Sequence, residues 1–146
     1  MVISSSAWLH RNQALVICDS YQYWSAEDSI EKMYQIDNHV GITTSGLVAD
    51  ARQLVDRARV QCQINRMTYG DNIPVSTLVK KMCDYKQSFT QYGGARPFGT
   101  ALLIAGFDHE GAHLFETDPS GAYQSYNAGA IGRGKATAID LSLIHI

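Results

Sequence analysis

Apolar residues recur with different periods along the chain, and each change of period marks an element. Gln13 to Asp19 holds a continuous apolar run, Leu15, Val16, Ile17 and Cys18, which predicts a short strand buried on both faces. A polar, aromatic-rich loop follows through Trp24. Ser25 to Asp37 could open as a helical turn, but Met33 and Gln35 alternate with Tyr34 and Ile36, and β-branched residues crowd Val40 to Gly46. Two short strands are expected there.

From Leu47 the period becomes helical. Leu47, Val48, Ala51, Leu54, Val55, Ala58 and Cys62 form one stripe, with Ser45 and Gly46 where an N-cap belongs. Asp50, Arg52, Asp56, Arg57 and Arg59 are assigned to the solvent face, Asp56 and Arg59 being placed to pair, and Gly70 supplies the stop. Ile73-Pro74 opens a second helix with Pro at the first helical position, and Val75, Leu78, Val79, Met82, Tyr85 and Phe89 carry its stripe to Gln91. The pair should form an antiparallel hairpin covering one face of a sheet.

After Pro97 the alternation returns as a meander. FGTALLIAGF turns at Asp108 to Gly111, AHLFETD turns at Asp118-Pro-Ser-Gly121, and AYQSYNAGAIG follows. Asp-Pro-Ser-Gly is the composition of a type I turn. Gly132 to Lys135 should lead into a third helix, ATAIDLSL, of barely two turns. Strands, two helices, strands and a helix imply an α+β sandwich, with sheets packed face to face between helices.

Composition narrows the class. The 146 residues are 45% hydrophobic, which suits one globular domain over 1–146 rather than a disordered chain. Twelve Lys plus Arg against 14 Asp plus Glu leave a charge of −2 and no broad footprint for nucleic acid. No stretch reaches the roughly 18 consecutive apolar residues of a membrane helix, and the start lacks a secretory pattern, so a soluble cytoplasmic protein is expected. Cys18, Cys62 and Cys83 form an odd, widely spaced set that reads as reduced, mostly buried thiols. The apolar tail LSLIHI leaves surface without a partner, so the fold is expected to be incomplete as written.

Candidate chemistry is sparse. Gly132-Arg-Gly-Lys135 lacks the spacing of a phosphate loop, and Ala136 replaces the hydroxyl that would bind magnesium, so it reads as a tight strand-to-helix turn. His109 and His113 flank a turn with no third ligand in view, and read as exposed turn residues; no metal and no cofactor are expected. Ser4, Ser5 and Ser6 with Asp19 and Lys32 could form an amine-activated nucleophile, though surface serines, a strand-end acid and a solvated Lys explain the same letters.

Several long segments in order give the chain a family. SIEKMYQID (Ser29 to Asp37), SGLVADARQLVDRARV (Ser45 to Val60), TYGDNIPV, TQYGGARPFGTALLIAGFD, LFETDPSGAY and AIGRGKA together resemble the α-type subunits of the 20S proteasome, from about Ala14 to Ala138. The resemblance implies a four-layer αββα sandwich of the N-terminal nucleophile hydrolase type. It also implies a seven-membered ring with other α subunits, stacked on β subunits, that gates entry and has no peptidase activity of its own.

The rival is a catalytic β-type threonine peptidase of the same fold, in which Asp19 and Lys32 would assist a nucleophile near Ser5. TQYGGARPFG, the DPSG turn and AIGRGK resemble α members instead. The resemblance also implies that Lys32 and Gly46 line a pocket that receives the C-terminal carboxylate of a regulatory particle or ATPase activator. The ammonium would meet the carboxylate, and the missing Cβ would let the peptide backbone approach. The sequence departs from the family before Ala7, where the gate segment is not matched, in ICDSYQYWSAED, and after Ala138, where the later helices are missing and the tail at 141–146 does not resemble it.

Overall fold

A computed structural model of the chain describes residues 15–18 and 32–145. Strand β1 is Leu15–Cys18, β2 is Met33–Asp37 and β3 is Val40–Gly46. Helix α1 runs Val48–Tyr69 and α2 runs Val75–Gln91. Then come β4 (Thr100–Asp108), β5 (Gly111–Thr117), β6 (Tyr123–Ser125), β7 (Ala128–Ile131) and α3 (Lys135–His145). The loop through Trp24, the turn after Ser25, the serines at 4–6, Asp19 and the final Ile146 lie outside the described residues.

Strands β2 to β6 form one antiparallel sheet in sequence order, the meander that the alternation implied. One segment departs from the expectation. AYQSYNAGAIG is two strands rather than one: β6 stays on the edge of the large sheet, while β7 leaves it and pairs in parallel with β1, from Leu15 opposite Ala128 to Cys18 opposite Ile131. Gly129 lies under Leu103 and Leu114, so the second sheet rests on the face of the first. Helix α3 packs on β7 from outside. The layers run helix pair, five-stranded sheet, two-stranded sheet, helix: an α+β αββα sandwich with a small second half.

The helix pair closes the larger core. Leu54, Ala58, Leu78, Val79 and Met82 are fully buried against Ile42, Leu102 and Ile104 of the sheet. Burying each large aliphatic side chain contributes about 1.5–3 kcal/mol. Tyr85, Phe89 and Phe98 meet edge to face or tilted, with ring centroids 4.8–5.7 Å apart, and close the core beside the end of α2.

The helix boundaries correct three readings. Leu47, rather than Ser45 or Gly46, precedes α1, because Ser45 and Gly46 are still paired in β3. Leu47 and Val48 are exposed, so the buried stripe begins at Asp50 and Ala51. Pro74 is the residue before α2 rather than its first, with an extended ψ of 139°. Gly70 ends α1 in the left-handed region at φ 76°, its N–H donating to Arg66 O, as its position implied. Asp56 and Arg59 pair at 3.6 Å on the surface. Helix α3 has 11 residues, longer than the two turns expected.

Candidate functional site

Lys32 lies one step before β2, and its carbonyl accepts from Thr44 N at 2.9 Å. Alternate residues of a ladder share a face, so Lys32 falls on the same face as Gly46. It is the face that the helix pair covers, since Tyr34 and Ile42 of that register belong to the core beneath α1 and α2. Lys32 is half-buried, and among the described residues no ion pair engages it. The strand register, not a side-chain contact, therefore brings the two sequence-selected residues to one corner.

Gly46 has a more local reason to be glycine than an incoming peptide. Its φ is 117°, and a Cβ there would stand 2.2 Å from Gly99 O. The chain's own backbone fills that space. Leu47 N donates to Gly99 O at 3.0 Å, and Thr100 Oγ1 donates to Leu47 O at 3.2 Å. The end of β3 and the start of β4 are thus fastened together where α1 begins.

Helix α1 starts there without a side-chain cap among the described residues. The first N–H groups of this 22-residue helix have no intrahelical acceptor, and an uncapped N-terminus favours an anion. The Gly132 turn lies alongside: a Cβ added to Gly132 would reach within 3.5 Å of Ser45 Oγ. That turn is the strand-to-helix corner expected from GRGK. Gly132 sits at φ 102°, Lys135 N donates to Gly132 O, and the Lys135 ammonium is held by Glu116 at 2.6 Å.

Three side chains beside this corner escaped the sequence reading. Asp50, assigned to the solvent face of α1, is 6% exposed. Its carboxylate accepts from Arg96 Nη1 at 2.7 Å, Arg96 Nη2 at 2.8 Å and Gly99 N at 2.9 Å. The Arg96 guanidinium, then the Gly99 N–H, hold the carboxyl below the usual range. Lys86 of α2 is fully buried; Nζ donates to Thr100 O and Thr117 Oγ1, both at 3.0 Å, and burial lowers its pKa to about 8. Its place on the apolar stripe, four residues after Met82, was the available signal; Arg96 offered none.

At the far end of the sheet, His113 corrects the turn-histidine reading. It is half-buried, and Nε2 meets Asp108 Oδ1 at 3.0 Å, with Glu110 close by. Asp108 also accepts from Val75 N at 3.0 Å and Glu110 N at 2.9 Å. Burial pushes the Asp108 carboxyl up, but these N–H groups and the His113 ring together bring it below its ordinary value. Asp108 thereby joins the hairpin to the first turn of α2. Cys62 and Cys83 are buried free thiols, pushed up to about 11 by burial, which leaves them protonated and inert at neutral pH.

Comparison with known proteins assigns the class. A family model described as "Proteasome subunit" matches residues 9–142, and the chain belongs to that family. It is 60% identical over 114 residues to a proteasome subunit alpha of Methanosarcina thermophila, covering 78% of this chain and 46% of the relative. A proteasome subunit alpha of Methanopyrus kandleri is 61% identical over 114 residues, with the same coverage. One of Methanococcus vannielii is 60% identical over 113 residues, covering 77% of this chain and 44% of the relative. The chain therefore spans less than half the length of these relatives. Each is named for the α type, as the TQYGGARPFG and AIGRGK segments implied, and none of the three for the β type.

Proposed function

We propose that the chain is part of a noncatalytic α-type subunit of the 20S proteasome core, which builds a ring with other α subunits, rests on β subunits and gates substrate entry. The observation that carries this reading is the identity of about three residues in five to proteins named proteasome subunit alpha. The outer face of α1 supports the contact with a β ring: Val60, Ile64 and Met67, at helical spacing, are 48%, 47% and 87% exposed. A cytoplasmic location fits a chain in which no described helix is long and apolar enough to cross a membrane.

In this reading Lys32 receives the C-terminal carboxylate of a regulatory particle or ATPase activator. An ammonium with no ion partner among the described residues and the uncapped start of α1 both favour an anion at the same corner. Gly46 contributes by letting β3 and β4 close tightly at that point, as its contact with Gly99 requires, so its part in the site is indirect. A peptidase assay on the isolated α-type subunit, with a fluorogenic peptide as substrate, is expected to give no turnover. Turnover accompanied by covalent trapping with an epoxyketone inhibitor would establish the β-type alternative instead.

A further inference from the structure

Resting on the carboxylate site just described, we propose that Arg96 is a positioning residue for it: through Asp50 and Gly99, Arg96 fixes the β3–α1 corner and keeps the start of α1 open to a terminal carboxylate. Asp50 is the third residue of α1, the position from which an acid ordinarily turns back onto its own helix's N–H groups. Here it turns away. Both carboxylate oxygens take the Arg96 fork, and Oδ2 also takes Gly99 N.

Two consequences follow at the corner. The negative charge that would compete with an incoming carboxylate for the helix start is withdrawn and matched by a guanidinium. The strap from Arg96 to Thr100 is also drawn against Leu47, where Gly99 O takes Leu47 N and Thr100 Oγ1 holds Leu47 O. Gly46 tolerates no side chain, since a Cβ there would strike Gly99 O, and a Cβ on Gly99 would stand 2.7 Å from Leu47 Cδ1, so the Leu47 side chain would have to move aside. From beneath, Lys86 Nζ pins Thr100 O. Arg96 is the exposed member of this brace, with 63% of its side chain in solvent, yet it meets a carboxylate that is 9% exposed. A two-nitrogen contact with a buried acid differs from an ordinary surface pair, which contributes little.

The test uses the complex that the full protein forms with its partner subunits and a short uncharged peptide, prepared with a free C-terminal carboxylate and as the C-terminal amide. The ratio of the two affinities is the readout. Arg96→Ala is expected to lower that ratio roughly five- to tenfold, and Arg96→Lys, which keeps charge but loses the fork, by about half as much on a logarithmic scale. Binding of the amide should not change. Should Arg96→Ala fail to assemble, Arg96→Lys decides. A variant that weakens both peptides equally, leaving the ratio intact, would make Arg96 merely structural and overturn the proposal. A wild-type ratio in Arg96→Ala beside a lost ratio in Lys32→Ala would refute the positioning role and leave the site standing. A ratio unmoved by Lys32→Ala would remove the site, and the proposal with it.

Discussion

The two ends of the helix-covered sheet are built on opposite plans. At the end where β2 turns into β3, charges and helix termini are matched inside the chain. Arg66 meets Asp37 at 2.9 Å and also donates to Asn72, Asp108 takes the first N–H of α2, and Gly70 closes α1. His39 joins the same end through Nε2, which donates to Ile73 O at 2.8 Å, while its buried Nδ1 has no hydrogen-bond partner among the described residues. At the other end α1 starts uncapped, its first-turn acid is diverted to Arg96, and Lys32 has no ion partner among the described residues. An end whose charges and helix termini are matched inside the chain serves stability; an end that leaves anion-binding groups over suits the carboxylate site proposed above.

The largest effect that would break this contrast comes from Gly46. Gly46→Ala forces a Cβ onto a carbonyl at a positive φ, and should destabilise the protein by on the order of 4 kcal/mol, read as the shift in its urea midpoint. A shift no larger than that of an exposed Gly→Ala control such as Gly93→Ala would mean the β3–β4 closure is looser than described.

Lys86 gives the next largest effect, and its sign is fixed by burial. Its folded pKa of about 8 lies below the ordinary 10.5, so the unfolded chain binds the extra proton between those values. Stability from this group rises as pH climbs from about 8 to 10.5, by about 3 kcal/mol in all. Cys62 and Cys83, raised from 9.0 to about 11, act in the opposite direction over pH 9 to 11. The difference between wild type and Lys86→Met, followed by denaturant unfolding across this range, isolates the lysine; a flat difference would contradict a buried ammonium.

At the closed end, Asp108→Ala removes acceptors from Val75 N, Glu110 N and the His113 ring together, and should cost about 2 kcal/mol in thermal unfolding. Because Asp108's folded pKa is depressed, its contribution is present above the ordinary carboxylate value of 3.8 and lost as pH falls through the folded value. The two proteins should therefore converge in stability in strong acid. The smallest effect is expected from Asp56→Ala, which breaks the exposed pair with Arg59 and should change stability by less than about 0.5 kcal/mol.

Elements with a strong local period were legible from the letters. The stripes Leu54 to Cys62 and Val75 to Phe89 specified the helices, and the alternation in TALLIAGFD and the DPSG turn specified the meander. What stayed hidden depended on contacts distant in sequence. Asp50 looked solvated because its partner Arg96 is 46 residues away. Lys86 stands on the apolar stripe of α2, but its acceptors lie on β4 and β5, out of reach of any local pattern. The departure of β7 to pair with β1 depends on a strand more than a hundred residues earlier, which no local pattern encodes. Lys32 and Gly46 were selected by family resemblance; the register that places them on one face became visible only in the ladder.

The most direct test is to replace Lys32 by Ala in the assembled complex and measure the affinity of an activator for it. A loss of roughly tenfold or more, with subunit assembly intact, is the expected result for an ammonium that meets a terminal carboxylate. Undiminished activator affinity in intact complexes would contradict a carboxylate-receiving role for the open end of the sheet.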